Sequence, residues 1–237
     1  MELNVGSEGL NYFWVPEYKF PVKKLPFVSR NATMSTMKSS LVVAVKVAIG
    51  LAIMPAAFAQ QSPPTLGHAE KLALAALPPK AGAKLIVSSP AFKDGDDIPL
   101  NNTQYGGNVF PGLAWTRGPR ETLSYVVIIQ GENPTGTGTS IHLTLSNVPA
   151  SVTKLEAGMT TPPRGATYGP NVHGSNQPYA GPHAHTSARQ RYHLQVFALD
   201  SVINSNTSLS FDALEAALTG HVLASGELVG LAAKVPN

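Results

Sequence analysis

The segment 171–200 reads NVHGSNQPYAGPHAHTSARQRYHLQVFALD and joins a loop to a strand. Its first half is interrupted by the turn formers Gly174, Pro178, Gly181 and Pro182. Its second half alternates apolar with polar positions, the apolar ones being Tyr192, Leu194, Val196 and Ala198. Turn formers exclude regular helix or ladder from the loop, and a period of two predicts a half-buried strand. A rigid strand therefore presents a polar, histidine-bearing loop, which is a common way to build a site.

Other apolar runs, separated by turns, extend this pattern along the chain. Strands are predicted over 84–88, 112–115, 124–130, 141–146, 191–199 and 227–231. Short strands at such spacing favour an all-β, antiparallel β-sandwich of two sheets. Trp115 alternates with Leu113, which predicts that it is buried between the sheets. One helix is predicted near the C-terminus, with Asp212 and Glu215 as a capping box and Gly220 at its end.

The N-terminal quarter has the layout of a leader. Residues 34–59 contain lysines, an apolar run and the sequence Ala57-Phe58-Ala59, which is typical of a secretory signal peptide with cleavage after Ala59. A transmembrane anchor is the alternative, but Lys46 interrupts the apolar run. Residues 1–33 are a doubtful extension upstream of that signal. We expect a mature protein that starts near Gln60, is periplasmic or secreted, and has no stable membrane insertion.

Charge and cysteine content narrow the class of protein further. The formal net charge of +3 comes entirely from residues 1–59, and the remainder carries eleven residues of each sign. Without a basic cluster in the mature part, nucleic acid is not an expected partner. The chain has no cysteine, so it has neither disulfides nor thiol chemistry. Residues 60–83 are rich in proline and alanine and are predicted to form an arm or linker, with one or two helical turns within residues 70–77.

Three stretches together indicate a known family. Residues 105–115 read YGGNVFPGLAW, residues 124–149 read SYVVIIQGENPTGTGTSIHLTLSNVP, and the third is 171–200. In this order they resemble the phosphatidylethanolamine-binding protein family, in its bacterial Raf-kinase-inhibitor-like branch, over about residues 84–230. The resemblance implies a Greek-key β-sandwich over residues 84–237, with one or two short helices near the C-terminus.

The resemblance also implies a pocket for a small anionic ligand such as a phosphoryl or carboxylate group. The matching pocket positions are His142, Gly181, Pro182 and Tyr192. The family's D-P-D-x-P loop carries Gln130 and Glu132 here, and Gln190 replaces the histidine of H-R-Y. His183, in the loop, is a possible substitute for that histidine. Ordinary core roles for Tyr192 and His142 remain open, and Arg191 is expected on the opposite face of its strand.

These departures lead to an expectation about charge in the pocket. Without a carboxylate beside it, His142 is expected to titrate near the free imidazole value of about 6.5. Phosphoryl headgroups would then bind weakly at neutral pH and more tightly toward pH 5.5. Neutral or weakly polar ligands would be preferred.

Catalysis, metal binding and inhibition of a partner enzyme are the alternatives to ligand binding. No G-x-S-x-G elbow is present, so a serine nucleophile is not expected, and the protein is predicted to be a non-enzyme without a cofactor. His183 and His185, with His173 nearby, could ligate zinc or copper, although no carboxylate follows until Asp200. Inhibition of a partner enzyme through the pocket mouth is the other alternative, with no partner identified.

Overall fold

The computed structural model describes residues 67–204 and 210–235 as a β-rich fold with two sheets and few helices. The strands are β1 (His68–Ala69), β2 (Ala83–Lys84), β3 (Val87–Ser88), β4 (Leu113–Trp115), β5 (Ser124–Glu132), β6 (Thr139–Pro149), β7 (Lys154–Leu155), β8 (Thr167–Tyr168), β9 (Gln190–Leu199) and β10 (Val222–Ala232). The helices are α1 (Ala73–Ala76), a 3-10 turn (Leu100–Asn102) and α2 (Phe211–Leu218). No helix within these residues is long and apolar enough to cross a membrane. The predicted signal segment 34–59 lies outside them.

The larger sheet has seven strands in the order β1-β6-β5-β9-β10-β2, with β8 added to β6. Eight of the nine residues of β5 are buried. A strand covered on both faces reads as a continuous apolar run, which explains the sequence YVVII at residues 125–129. The strands pair antiparallel as predicted, except at one edge, where β2 pairs with β10 in parallel. The Greek-key connection stays a prediction.

The smaller sheet, β3-β4-β7, covers one face of the larger one. Trp115 in β4 is 5% exposed, and its ring packs edge-on against Tyr125 of β5 with 5.4 Å between ring centroids. The predicted burial of Trp115 between the sheets is confirmed. The alternate residues of β9, Tyr192, Leu194, Val196 and Ala198, join the same core, as their alternation predicts.

The opposite face of the larger sheet is covered by both α-helices. Phe211, Leu214 and Leu218 of α2 are buried there, three and four residues apart as one helix face requires. The helix was predicted correctly, but its N-cap was not. Ser210, rather than Asp212, caps it by accepting a hydrogen bond from the backbone N–H of Ala213.

The described part of the predicted linker is folded against the larger sheet. β1 pairs with β6, and Ala73 and Leu77 are buried in the second core. Residues 67–83 therefore belong to the folded unit, which extends beyond the predicted boundary at Lys84. The turn of helix expected within residues 70–77 is α1.

Candidate functional site

A β-bulge places His142 in the site. Ile129 of β5 pairs with Leu143, but the next residue, Gln130, pairs with Ile141, so His142 is the extra residue on β6. A bulge changes the side-chain alternation and re-aims the inserted residue. Ile141 packs in the core under the helices and Leu143 in the core between the sheets. His142 consequently lies on the same face as Leu143, beside Tyr192.

Hydrogen bonds from the loop before β9 fix the position of His142. Its ring nitrogen Nδ1 lies 2.8 Å from the carbonyl oxygen of Ala180, and the Ala180 N–H donates to the His142 carbonyl at 2.9 Å. Asn171 is fully buried and folds the loop on itself. Its side chain donates to the Pro178 carbonyl and accepts from the His173 N–H. The loop is thus attached to β6 by the bulged residue.

These elements enclose a cavity of about 250 Å³. Five of the seven histidines line it, namely His68, His142, His173, His183 and His185. The other lining residues are Gln104, Gly131, Glu132, Asn133, Pro134, Ser140, Val172, Gln190 and Tyr192. No lysine or arginine is among them. His68, His173, His183 and His185 are solvent-exposed and form what we call the cavity mouth, whereas His142 is buried.

The buried ring of His142 is neutral at physiological pH. A carbonyl oxygen can only accept, so Nδ1 carries the proton that is donated to Ala180. Burial lowers the pKa of His142 from 6.5 to about 4, and the carbonyls of Ala180 and Gly181 only partly oppose this. The expectation that it titrates near 6.5 is therefore wrong. Its Nε2 keeps a lone pair and has no hydrogen-bond partner among the described residues.

Tyr192 and Gln190 complete the buried wall of the cavity. The rings of His142 and Tyr192 meet edge-on, with centroids 5.2 Å apart. The Tyr192 hydroxyl donates to Gln190 Oε1 at 3.2 Å, while the buried Gln190 Nε2 has no partner in the described part of the chain. Burial, with a smaller effect of Tyr105, raises the pKa of Tyr192 to about 12, so the phenol is neutral too.

Gln130, predicted as a ligand-binding residue, faces away from the cavity. Its Oε1 accepts from the backbone N–H of Ala73 and from Gln195 Nε2, both at 2.8 Å. Its Nε2 donates to the Lys71 carbonyl and to the hydroxyl of Thr139. All of its polar atoms are thereby used to hold the start of α1 against the sheet. This side chain is an anchor for the N-terminal segment and does not contact the cavity.

Glu132 lines the cavity, but its carboxylate is engaged elsewhere. Oε1 lies 3.1 Å from Nε2 of His193, whose Nδ1 lies 2.8 Å from Glu227. His193 is adjacent to Tyr192 on β9, so it points to the opposite face of the sheet. Arg191 lies on that face too, as the alternation of the strand predicts, and its Nε is 3.8 Å from Oε1 of Glu132. Glu132 therefore does not provide a carboxylate next to His142.

Gly181 and Pro182 support the cavity without lining it. The Gly181 N–H donates to the Asn108 side chain at 2.7 Å, and the Pro182 carbonyl accepts from the Gln104 N–H at 3.0 Å. A Cβ on Gly181 would lie 2.6 Å from the Asn102 carbonyl oxygen. Glycine is required there because two loops pack backbone to backbone.

His183 lies at the cavity mouth, on the exposed side of the loop. Its ring packs against Tyr105 and against His185, with 4.9 Å between centroids in each case. Across residues 67–204 and 210–235, no set of three or more His, Asp or Glu side chains is arranged to hold a metal ion. Of the eight predicted residues, the cavity brings together His142, Tyr192, Gln190, Glu132 and His183.

Sequence reasoning missed Gly131 and the contribution of the N-terminal segment. A Cβ on Gly131 would lie 2.6 Å from the Tyr192 ring and 3.1 Å from His142 Nε2, so the absence of a side chain makes room for both rings. A glycine inside a predicted strand is a signal for such close approach. No sequence pattern indicated that His68 lines the cavity, because its position depends on the pairing of β1 with β6.

Comparison with known proteins agrees with the fold and the motifs. The model of the phosphatidylethanolamine-binding protein family matches residues 88–233, and the chain belongs to that family. It is 32% identical over 145 residues to a UPF0098 protein of Methanothermobacter thermautotrophicus, covering 60% of this chain and 93% of the relative. A UPF0098 protein of Chlamydia trachomatis is 29% identical over 148 residues, covering 61% and 95%.

Two solved structures share the architecture. One is a phosphatidylethanolamine-binding protein homolog, CT736, from Chlamydia trachomatis, with a TM-score of 0.58 and 28% identity over 64% of this chain and 99% of that one. The other is YbcL of Escherichia coli, described as a member of the mammalian family. It has a TM-score of 0.58 and 26% identity over 65% of this chain and 100% of that one.

Proposed function

We propose that this protein is an exported, non-enzymatic binding protein for a small polar ligand, held in the cavity between His142, Tyr192 and Gln190. The observation that carries the proposal is Nε2 of His142, a fixed hydrogen-bond acceptor in the cavity wall that has no partner within residues 67–204 and 210–235. The amide nitrogen Nε2 of Gln190, which has no partner in the described part of the chain, adds a second polar group. Buried polar groups without partners in a cavity favour a ligand that supplies them.

The electrostatics favour a neutral ligand with a donor group over an anion. The cavity wall offers a lone pair, a phenol and an amide, with no lysine or arginine. A phosphate dianion would face the lone pair of His142, and protonating that ring is unfavourable because its pKa is about 4. A ligand that carries N–H or O–H groups instead donates to Nε2. A phosphoryl group is therefore expected to bind the His142 ring weakly down to about pH 5.

A matched pair of small probes tests this preference. Acetamide and acetate have similar shape but differ in charge, and binding can be followed by NMR chemical shifts of the chain at pH 7.5. We expect acetamide to shift the resonances of Tyr192 and Gln190, and acetate and phosphoethanolamine to do so much less. His142→Phe should abolish the acetamide response, while His221→Gln, outside the cavity, should preserve it. Tight binding of phosphoethanolamine that persists in His142→Phe would refute the proposal.

Export is a separate part of the proposal and rests on the sequence of residues 34–59. The intact mass of the protein recovered outside the cytoplasm tests it. Cleavage after Ala59 is expected, and a mass that includes residues 1–59 would contradict it. Regulation of a partner enzyme through the cavity mouth stays a prediction without an observation that favours it.

A further inference from the structure

Two histidines at the cavity mouth are presented on the same side of the chain. His183 and His185 are exposed, whereas Ala184 between them is fully buried. This alternation is that of extended backbone, in which residues two apart point the same way. Both side chains line the cavity. Their ring centroids lie 4.9 Å apart, with an angle of 74° between the ring planes.

That separation matches two imidazoles that share one metal ion. A metal–nitrogen bond of about 2.0–2.1 Å puts each ring centre about 3.2 Å from the ion. Two such rings are roughly 4.5 Å apart at a right-angled site and roughly 5.2 Å apart at a tetrahedral one. The observed separation of 4.9 Å falls between these values, so the two rings are already at the spacing that a shared ion requires.

The backbone that carries the pair is held in place by three hydrogen bonds. The Tyr105 hydroxyl donates to the Ala184 carbonyl at 2.6 Å, between the two histidines. The Pro182 carbonyl accepts from Gln104, and the Thr186 carbonyl accepts from the Lys234 N–H at 2.8 Å. The ring nitrogens themselves have no hydrogen-bond partner among the described residues. The scaffold is therefore fixed while the ligating atoms are available, which lowers the entropic cost of binding.

We infer that His183 and His185 form a two-imidazole site for a late first-row divalent metal ion, with Cu²⁺ bound most tightly. Imidazole nitrogens suit Cu²⁺, Ni²⁺ and Zn²⁺, and the affinity order for a given site places Cu²⁺ first. No third His, Asp or Glu in the described residues completes the site. Both histidines line the cavity, so water or a small ligand could supply the remaining coordination positions. The metal site needs only the two imidazoles, so metal binding does not depend on the proposed cavity ligand.

Titration of the full chain with Cu²⁺ in a non-coordinating buffer tests the inference. Calorimetry should show one site, and electron paramagnetic resonance at one equivalent should show coupling to two nitrogens. His183→Gln and His185→Gln should each weaken Cu²⁺ binding by about ten-fold or more, since each removes one of two ligands. Ni²⁺ and Zn²⁺ should bind more weakly than Cu²⁺.

Two control variants separate this site from other histidines. His221→Gln removes an exposed histidine paired with Asp200 and should leave Cu²⁺ affinity unchanged. The double variant His68→Gln/His173→Gln removes the other mouth histidines and should also retain the site. Both ligands are exposed, so their replacement should preserve the melting temperature of the metal-free protein. Unchanged Cu²⁺ binding in His183→Gln/His185→Gln, or its loss in His68→Gln/His173→Gln, would overturn the inference.

Discussion

The neutral, buried His142 makes the stability of this fold depend on pH in a way that can be calculated. Its pKa is about 4 in the folded chain and 6.5 as the ordinary value, so the unfolded state binds more protons between these limits. Stability attributable to this ring is complete above about pH 6.5 and is lost as pH falls toward 4. Each pKa unit corresponds to about 1.4 kcal/mol. Because pH 5.0 lies about 1.5 units below the pKa of the unfolded state, the free energy of unfolding is lower there by about 2 kcal/mol.

Urea denaturation at pH 7.5 and pH 5.0, for the wild type and for His142→Gln, isolates this contribution. A glutamine amide can still donate to Ala180 but cannot take up a proton. We expect the change in unfolding free energy between the two pH values to be about 2 kcal/mol smaller in the variant. His185→Gln, which removes an exposed histidine, should retain the wild-type pH dependence. Equal pH dependence in wild type and His142→Gln, or an NMR titration of His142 near pH 6.5, would refute the reasoning.

Three further substitutions test the core, the cavity and the anchor. Trp115→Ala should cost about 3–5 kcal/mol because it leaves a cavity between the sheets, and an unchanged melting temperature would contradict that placement. Gly131→Ala brings a Cβ within 2.6 Å of the Tyr192 ring and should cost about 1–3 kcal/mol and reduce acetamide binding. A cavity that still binds acetamide normally would show that the rings can move aside. Gln130→Leu should lower the free energy of unfolding by about 1–3 kcal/mol, because the partners of the lost amide, such as the Ala73 N–H, are left unpaired. Acetamide affinity should be unchanged, and a loss of affinity would show that Gln130 belongs to the site.

Features set by local pattern were predictable from the sequence. The alternation in β9 determines which side chains enter the core, and the apolar spacing of α2 determines its buried face. Trp115 could be placed because it alternates with Leu113, and both residues of β4 are buried. Family motifs located His142 and Tyr192, and the structure shows them in contact.

Features set by long-range packing were not predictable. The bulge at His142 is visible only once β5 and β6 are paired. The orientation of Gln130 depends on α1, whose residue Ala73 lies 57 positions away in sequence. The low pKa of His142 arises because a loop 38 residues further along covers the ring. In each case the decisive partner is distant in sequence, so residue type and spacing carried no information about it.

Two hydrogen bonds join His142 to Ala180, one from the imidazole ring and one from the main chain. Turning the imidazole over would break the Nδ1 bond to the Ala180 carbonyl, whereas the bond from the Ala180 N–H to the His142 carbonyl holds the loop on β6. The loop that holds the ring also carries His183 and His185, three and five residues after Ala180. One continuous segment, residues 180–185, therefore both orients the buried ring and forms part of the cavity mouth.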